Sequence, residues 1–420
     1  MSAPATQSVL PALKEALGFE PIGEGTGNLT LGRGNFERRP LHVAIVENRV
    51  ASGSLGSAEC KRLAALFDIV ARERSSLVLY LDSAGARVSE GLKALGAFRA
   101  LYHAGLGAAL SGAPLAMVLG RNCYGGSSML AHLAPQRLFS EETQLAMSGP
   151  TILASAAGVD VLDEMFRAMA QAALSAAARA KASSANTVWN AGESLGPWLK
   201  QALAQRGDAT SALRLRHEAL ELRIGQRPAD RPWEALRRRD LEKIYVEGYE
   251  ARESDGFVTG NGRRDGAEES FVGLVGRNPV GAVRAWRLAD AAWKMMDNPP
   301  KRLEVLLDCA THAARLDDER IVLSEYIADM ALALAALAAR GSAVGLTVLG
   351  KAGGGVYVAL AAPARRVTSV YGADIQVLPG SAVAAILGEA AQDAPAGFKE
   401  YGAAGVADQE LRLGIVPGTQ

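Results

Sequence analysis

The chain presents one order of elements twice. Leu77–Leu81 is a short apolar run that ends at Asp82 and passes into Ser83-Ala-Gly-Ala-Arg87. An apolar helix follows, and then Pro114–Leu119 leads into Gly120-Arg-Asn-Cys-Tyr-Gly-Gly126. Much later Leu303–Leu307 ends at Asp308 and passes into Cys309-Ala-Thr-His312. Another apolar helix follows, and Val344–Leu349 leads into Gly350-Lys-Ala-Gly-Gly-Gly355. Gly126 to Pro135 is nine positions (135 − 126) and Gly354 to Pro363 is nine (363 − 354), with Arg137 and Arg365 two residues beyond each proline. Buried-strand runs alternating with helices imply a mainly parallel sheet with right-handed crossovers. The duplication predicts two related α/β domains with a site built from both.

The remaining elements fill in this frame. The pattern predicts a helix over Leu10–Leu17, a glycine loop over Gly23–Asn28 and a buried strand over Leu41–Val46. Ser57–Ala71 carries Leu63, Leu66, Phe67 and Val70 at helical spacing. Gly91–Leu110 is read as a helix whose small residues, among them Gly96 and Gly105, allow close approach of its neighbours. An Ala-rich helix is expected over Val161–Lys181, and no strand over 183–240. Gln226–Pro232 and the Arg237–Asp240 cluster mark a polar connection. Phe271–Val275 and Val280–Arg284 read as a hairpin around Gly276–Pro279, and Glu319–Ala339 as a helix. The expected boundaries are a domain over 1–205, a connecting region over 206–262 and a domain over 263–420.

Composition excludes several classes. A length of 420 residues implies two or three domains able to bury cores. Formal net charge is zero, so no bulk field favours nucleic acid or an anionic membrane. Three scattered cysteines give neither a disulfide framework nor a metal-ligand spacing, and no metal site is expected. No signal peptide and no apolar stretch of membrane-spanning length is read, so the expectation is a cytoplasmic protein. The Ala-rich helices lead to the expectation of a homo-oligomer.

Chemistry is expected at the strand ends, where parallel sheets present ligand groups. Cys123-Tyr-Gly-Gly126, running into a helix, offers free backbone N–H groups at a helix N-terminus. The turn Ser83–Ala86 can supply another. Convergent N–H groups from Gly85 or Ala86 and from Gly125 or Gly126 would form an oxyanion hole, with a thioester carbonyl becoming an enolate as its client. The alternative for each glycine turn is a packing device. There is no phosphate-loop arrangement at Gly350-Lys351 and no Ser/His/Asp triad. Of five histidines only His312 falls in a predicted strand-end loop, where it could handle a proton or contact a carboxylate; His103 and His132 lie in helical runs. No activating base adjoins Cys123.

Ser52-Gly-Ser-Leu-Gly56 with Ala58–Arg62, then Leu81-Asp-Ser-Ala-Gly-Ala-Arg-Val-Ser-Glu-Gly91, Gly120–Gly126 and Met147-Ser-Gly-Pro150, occur in a known order. It resembles that of carboxyltransferases of biotin-dependent acyl-CoA carboxylases, and is similar also to the beta subunit of biotin-independent malonate decarboxylase. Through the Asp308 loop, Gly350–Gly355 and Ile375–Ile386, the second half resembles the gamma subunit. The chain thus resembles a beta–gamma fusion, over roughly 40–160 and 270–388. Cys309-Ala-Thr-His312 departs from the proline and glycine usual in that gamma-type loop, and Leu378 stands about where its histidine would be.

The resemblance implies an α/β fold of two crotonase-like (carboxyltransferase) domains in tandem, with a thioester bound between them. It implies no covalently bound cofactor, the CoA-type thioester being carried by the substrate. Gly85, Ala86, Gly125 and Gly126 would hold the thioester oxygen, with Ser83, Ala84, Tyr124, Ser127, Ser148 and Gly149 around the substrate. His312 and Gly353, Gly354 and Gly355 would position a carboxylate; Tyr124, Ser127, His312 and Tyr357 are candidate proton donors. The expected reaction is decarboxylation of malonyl-CoA or malonyl-acyl carrier protein to an acetyl thioester and CO2. The alternatives are the carboxyltransferase component of a biotin-dependent acyl-CoA carboxylase, which needs a separate biotin carrier, and a non-catalytic assembly partner. Gly126→Val is expected to abolish turnover by blocking the oxyanion position while leaving the fold intact.

Overall fold

The computed structural model describes residues 8–158, 164–204, 208–225, 238–387 and 396–413. Residues 161–163 of the Ala-rich helix, the polar stretch 226–232, Arg237, and the side chains of Arg238, Arg239 and Asp240 lie outside that description.

Among the described residues the strands form two large sheets of matching design. In the first, Leu77–Ser83 lies parallel between Arg39–Val46 and Leu115–Tyr124. Gln136–Ser140 and Asn186–Trp189 extend it in parallel, and Leu29–Phe36 adds an antiparallel edge. In the second, Arg302–Asp308 lies parallel between Ala267–Val275 and Ala343–Val348. Arg366–Val370 and Gln409–Leu411 extend it, and Phe257–Arg264 and Tyr249–Ser254 form its antiparallel edge. The central strands are apolar on both faces because helices cover both sides. Leu77–Ser83 is buried throughout except at Asp82, where the chain turns toward the loops.

The two sheets share one apolar core, which runs from Leu29 to Ala407. The halves meet along Leu92–Leu110. A Cβ at Gly96 would sit 1.8 Å from the Ala404 carbonyl oxygen, so the small residue admits the opposing backbone. One turn on, Arg99 Nε donates to Ala361 O (3.2 Å) and its Nη2 to Asp408 Oδ2 (3.0 Å). His103 Nδ1 lies 2.7 Å from Ala362 O.

Five expectations are corrected. Val280–Arg284 is not a hairpin strand: Val280 makes only an isolated bridge to His312, and Gly281 caps the helix Ala282–Met295. Asp318 Oδ1 accepts the Ala282 N–H at 2.9 Å, and Ala285, Leu288, Ala289 and Ala292 form a buried helical stripe. The span 183–240 contains the strand Asn186–Trp189, too short and polar to announce itself. The helix over 319–339 is broken at Val322 (φ +68°), which separates Leu316–Arg320 from Leu323–Ala339. Strand pairing carries the second sheet back to Tyr249, inside the span 206–262 read as a connection. Ser175 also divides the Ala-rich segment into Glu164–Leu174 and Ala176–Ala182, its hydroxyl accepting from Ala178 N–H at 3.3 Å. Among the described residues no helix is long and apolar enough to cross a membrane.

Gly96→Ala tests the contact between the halves. In a free helix the change would stabilise by about 1 kcal/mol. Here the methyl group must displace a carbonyl, which costs about 1–3 kcal/mol for overpacking. Urea unfolding should show the variant less stable than wild type, and a stabilised variant would contradict the packing described.

Candidate active site

The site lies where the carboxyl ends of both sets of parallel strands face each other. Asp82 closes the first strand, and its Oδ1 accepts the Asn122 N–H at 3.1 Å, pinning two strand-end loops together. Gly85 has φ +94°, a conformation open to glycine. Its carbonyl accepts Leu55 N–H at 2.7 Å, and Arg87 N–H donates to Leu55 O at 2.9 Å. This bracket leaves the Ala86 N–H directed away from Leu55 and without an acceptor among the described residues. Gly85 N–H is occupied, donating to Ser83 Oγ at 3.2 Å.

The companion loop resolves the second pair of glycines in the same way. Gly125 N–H donates to Ala146 O at 3.0 Å. Gly126 opens the helix Gly126–Ala131, and its N–H has no acceptor among the described residues. A Cβ on Gly85 would lie 2.9 Å from Gly126 N. Glycine at 85 therefore lets the two loops touch and keeps the Gly126 N–H uncovered. The available donors are Ala86 and Gly126; Gly85 and Gly125 shape the turns.

The second half repeats the bracket. Asp308 Oδ1 accepts Lys351 N–H at 2.8 Å. Thr311 O accepts Val280 N–H at 2.7 Å, and Ala313 N–H donates to Val280 O at 2.8 Å. His312 thus occupies the place that Ala86 holds in the first half. Gly354, with φ +55°, opens the helix Gly354–Ala361 as Gly126 opens its own. A Cβ there would meet Thr311 Oγ1 at 2.7 Å. The two halves differ in that an imidazole projects where the first half has a methyl group.

His312 is 5% exposed, with Nδ1 3.2 Å from Thr311 Oγ1 and Nε2 3.2 Å from Ser148 Oγ. Burial pushes its pKa down to about 4, so the ring is neutral near pH 7. Ser148 N–H donates to Glu319 Oε1 at 2.8 Å. Glu319 is fully buried, and burial pushes its carboxyl up to about 7 against the opposing pull of Arg179 and the Ser148 N–H. The sequence reading passed over Glu319, whose one signal was an acid at the start of a long apolar helix.

A cavity of ≈ 540 Å³ brings together Ala84, Ala86, Tyr124, Gly125, Gly126 and Gly149 of the first half with His312, Gly354 and Gly355 of the second. Its wall also includes Ile152, Leu378 and Ile386, which carried no polar signal. Other candidates stand elsewhere. Ser83 and Ser127 are buried behind the turn, Ser127 Oγ donating to Ser83 Oγ at 2.8 Å. Ser148 lies behind His312. Gly353 is paired in the short strand Lys351–Gly353. Tyr357 is fully buried and donates its hydroxyl to Val406 O, so it is not a proton donor to this cavity. Tyr124 reaches the cavity with its ring, its hydroxyl donating to Gln144 Oε1. Among the described residues no cluster of His, Cys, Asp or Glu is arranged to hold a metal ion. The expected reading of Gly126→Val also changes. A Cβ at Gly126 would lie 2.4 Å from Phe98 Cζ, so the valine would strike the core before it covered the oxyanion position.

The state of His312 is open to measurement. Its pKa falls from 6.5 to about 4 on folding, so between those values the folded chain binds fewer protons than the unfolded chain. The associated stability is present above pH 6.5 and lost as pH falls through about 4. Across that interval wild type should lose stability relative to His312→Gln in denaturant titrations. A constant difference would mean that the ring is not held neutral.

No protein-family model matches the chain. A stretch of 146 residues, 34% of the chain, is 28% identical to the methylmalonyl-CoA carboxyltransferase 12S subunit of Propionibacterium freudenreichii subsp. shermanii and covers 28% of that protein. A stretch of 98 residues, 23% of the chain, is 38% identical to the acetyl-coenzyme A carboxylase carboxyl transferase subunit beta 1 of Roseiflexus castenholzii and covers 33% of it. The chain thus spans about a third or less of the length of these relatives. A Pseudomonas malonate decarboxylase hetero-tetramer in complex with malonate overlaps 54% of this chain and 92% of that chain, at 19% identity and a TM-score of 0.45. That overlap is too loose to bear on function. Part of the chain is therefore similar in sequence to acyl-CoA carboxyltransferase subunits, the alternative raised by the sequence.

Proposed function

We propose that the chain moves a carboxyl group at the α-carbon of an acyl-CoA thioester, as the carboxyltransferase component of a biotin-dependent acyl-CoA carboxylase. The observation that carries this reading is the pair of unclaimed N–H groups at Ala86 and Gly126, brought together by the bare α-carbon of Gly85 in one cavity. Two such donors lining one cavity would hold a thioester oxygen as it gains charge in the enolate. Removing one such preorganised donor typically costs about 3 kcal/mol of transition-state stabilisation. The repeated bracket of the second half, at His312 and Gly354, supplies the facing wall for the group that gives or receives the carboxyl. A carboxybiotin carried on a separate protein would supply that carboxyl group. The sequence relatives favour this over the decarboxylase reading. Two crotonase-like domains in tandem, meeting near the 206–262 span, and self-association into a homo-oligomer belong to the same proposal.

A second reading rests on the neutral imidazole of His312. Decarboxylation of malonyl-CoA or malonyl-acyl carrier protein breaks the bond to the carboxylate, leaves its electron pair as the enolate, and needs a proton at the α-carbon. His312, with Ser148 and the buried Glu319 behind it, is a proton source in the right cavity.

Purified chain given malonyl-CoA or methylmalonyl-CoA separates the two. Carboxyl transfer only when biotin is present supports the first reading; CO2 and acyl-CoA formed without biotin support the second. A folded chain inert in both assays overturns both. Gly85→Ala places a methyl group against the Gly126 N–H and should lower kcat by on the order of 10²-fold with an unchanged far-UV spectrum. Wild-type turnover in that variant would remove the oxyanion assignment.

A further inference from the structure

The helix Ala209–Ile224 buries one side of itself, with His217 and Leu220 turned into the molecule. On another side Ala212, Leu215, Ala219 and Leu222 are all exposed. Leu215 is 67% exposed and Leu222 78%. These four follow one another at intervals of three, four and three residues, which places them in a single stripe along the helix. Such a stripe is the seam by which a helix packs on a second helix. Among the described residues nothing covers the two leucines.

Beside the stripe lies a cavity of ≈ 300 Å³ that shares no lining residue with the active site. Ala212 and Ala219 belong to its wall, together with Ala109, Leu115, Leu133 and Leu213. The charged groups of the wall, Arg216 and Glu325, are paired with each other, Nε to Oε1 at 3.1 Å. The wall is thus suited to an apolar side chain.

The order of residues in the stripe selects what covers it. Ala212 and Leu222 each stand five residues from the level of His217, and Leu215 and Ala219 each stand two. A second copy of the helix, laid antiparallel about a two-fold axis at that level, sets every leucine opposite an alanine. A parallel copy would press leucine on leucine and leave a gap between alanines, which close packing disfavours. Charge agrees with the antiparallel arrangement. Arg214 and Glu218, both exposed, lie on one flank of the stripe. The two-fold axis brings the arginine of each copy, which in its own chain meets Asp297 at 3.0 Å, within a turn of the other copy's glutamate. Leucines and cavity wall share one helix, so each copy offers what the other takes, the self-complementarity of a two-fold interface.

We propose that this face is an interface between two copies of the chain, paired antiparallel through Ala209–Ile224. It deepens the self-association proposed above by giving it a surface, and it does not depend on the chemistry at the first cavity.

Sedimentation of the full chain over a concentration series tests it. Wild type should be at least dimeric. Leu222→Glu should raise the Kd of the pair by on the order of a hundredfold, because two leucines leave the interface and two charges enter it. Its circular dichroism should match that of wild type, since the side chain is exposed in the single chain. Cross-linking reads the geometry. The three native cysteines are buried, so a cysteine introduced on the surface is the reactive one. Glu218→Cys, one residue from the level of the axis, should join two copies through a short bis-maleimide, and Glu221→Cys, farther round the helix, should not. A monomeric wild type overturns both self-association and this interface. An oligomer that Leu222→Glu leaves intact, or equal cross-linking at 218 and 221, overturns the interface alone.

Discussion

The helix Leu323–Ala339 is buried at every position from Leu323 to Leu337, yet it carries two carboxylates, Glu325 and Asp329. Removing water from an unpaired carboxylate costs several kcal/mol, so such a helix requires cations and donors from its surroundings. They come from the rest of the chain. Arg137 reaches Glu325 from the first half, and Arg216 and Arg223 reach it from the helix that precedes the second sheet. His217 Nδ1 meets Asp329 Oδ2 at 2.6 Å, and Trp293 Nε1 donates to Oδ1 at 3.2 Å. Next to them, Ser324 Oγ lies 2.8 Å from His132 Nε2. One helix thus serves as the keel against which both halves are set. His312 and Gly126, one from each half, line the same cavity.

The composite site has unequal walls. Each half closes a strand with an aspartate that accepts an N–H from the next strand-end loop, and each opens a short helix on glycine. In the first half the bracketed position is Ala86, and its surroundings are backbone donors. In the second it is His312, a neutral ring backed by Ser148 from the opposite half. The first wall presents backbone N–H groups, and the second presents a neutral imidazole. Duplicated backbone geometry with one changed side chain therefore gives two electrostatically distinct sides.

Much of this was legible in the sequence, because strands buried on both faces and glycine turns leave local signatures. Asp82, Asp308 and the paired glycines marked the strand ends, and the repeat placed the two loops in register. What was not legible depends on distant partners. Which of Gly125 and Gly126 keeps a free N–H is decided by the Ala146 carbonyl, some twenty residues away. The direction of a Cβ at Gly126 is meaningful only once Phe98 is known to lie beneath it. The hydroxyls of Ser127 and Tyr357 looked available until Ser83 and the Val406 carbonyl claimed them. Val280–Arg284 had the residues of a strand, but Asp318, distant in sequence, caps it as a helix start. Glu319 lay hidden among the charged residues Asp317, Asp318 and Arg320, because its burial against Arg179 from the other half is not a local property.

Both walls of the first cavity belong to one polypeptide. Their encounter is unimolecular, with a local concentration set by the intervening chain rather than by the amount of protein in solution. Dilution therefore does not separate them, and their stoichiometry is one to one by construction. A substitution in either wall is inherited with its counterpart, so the two faces can diverge in chemistry while staying matched in shape.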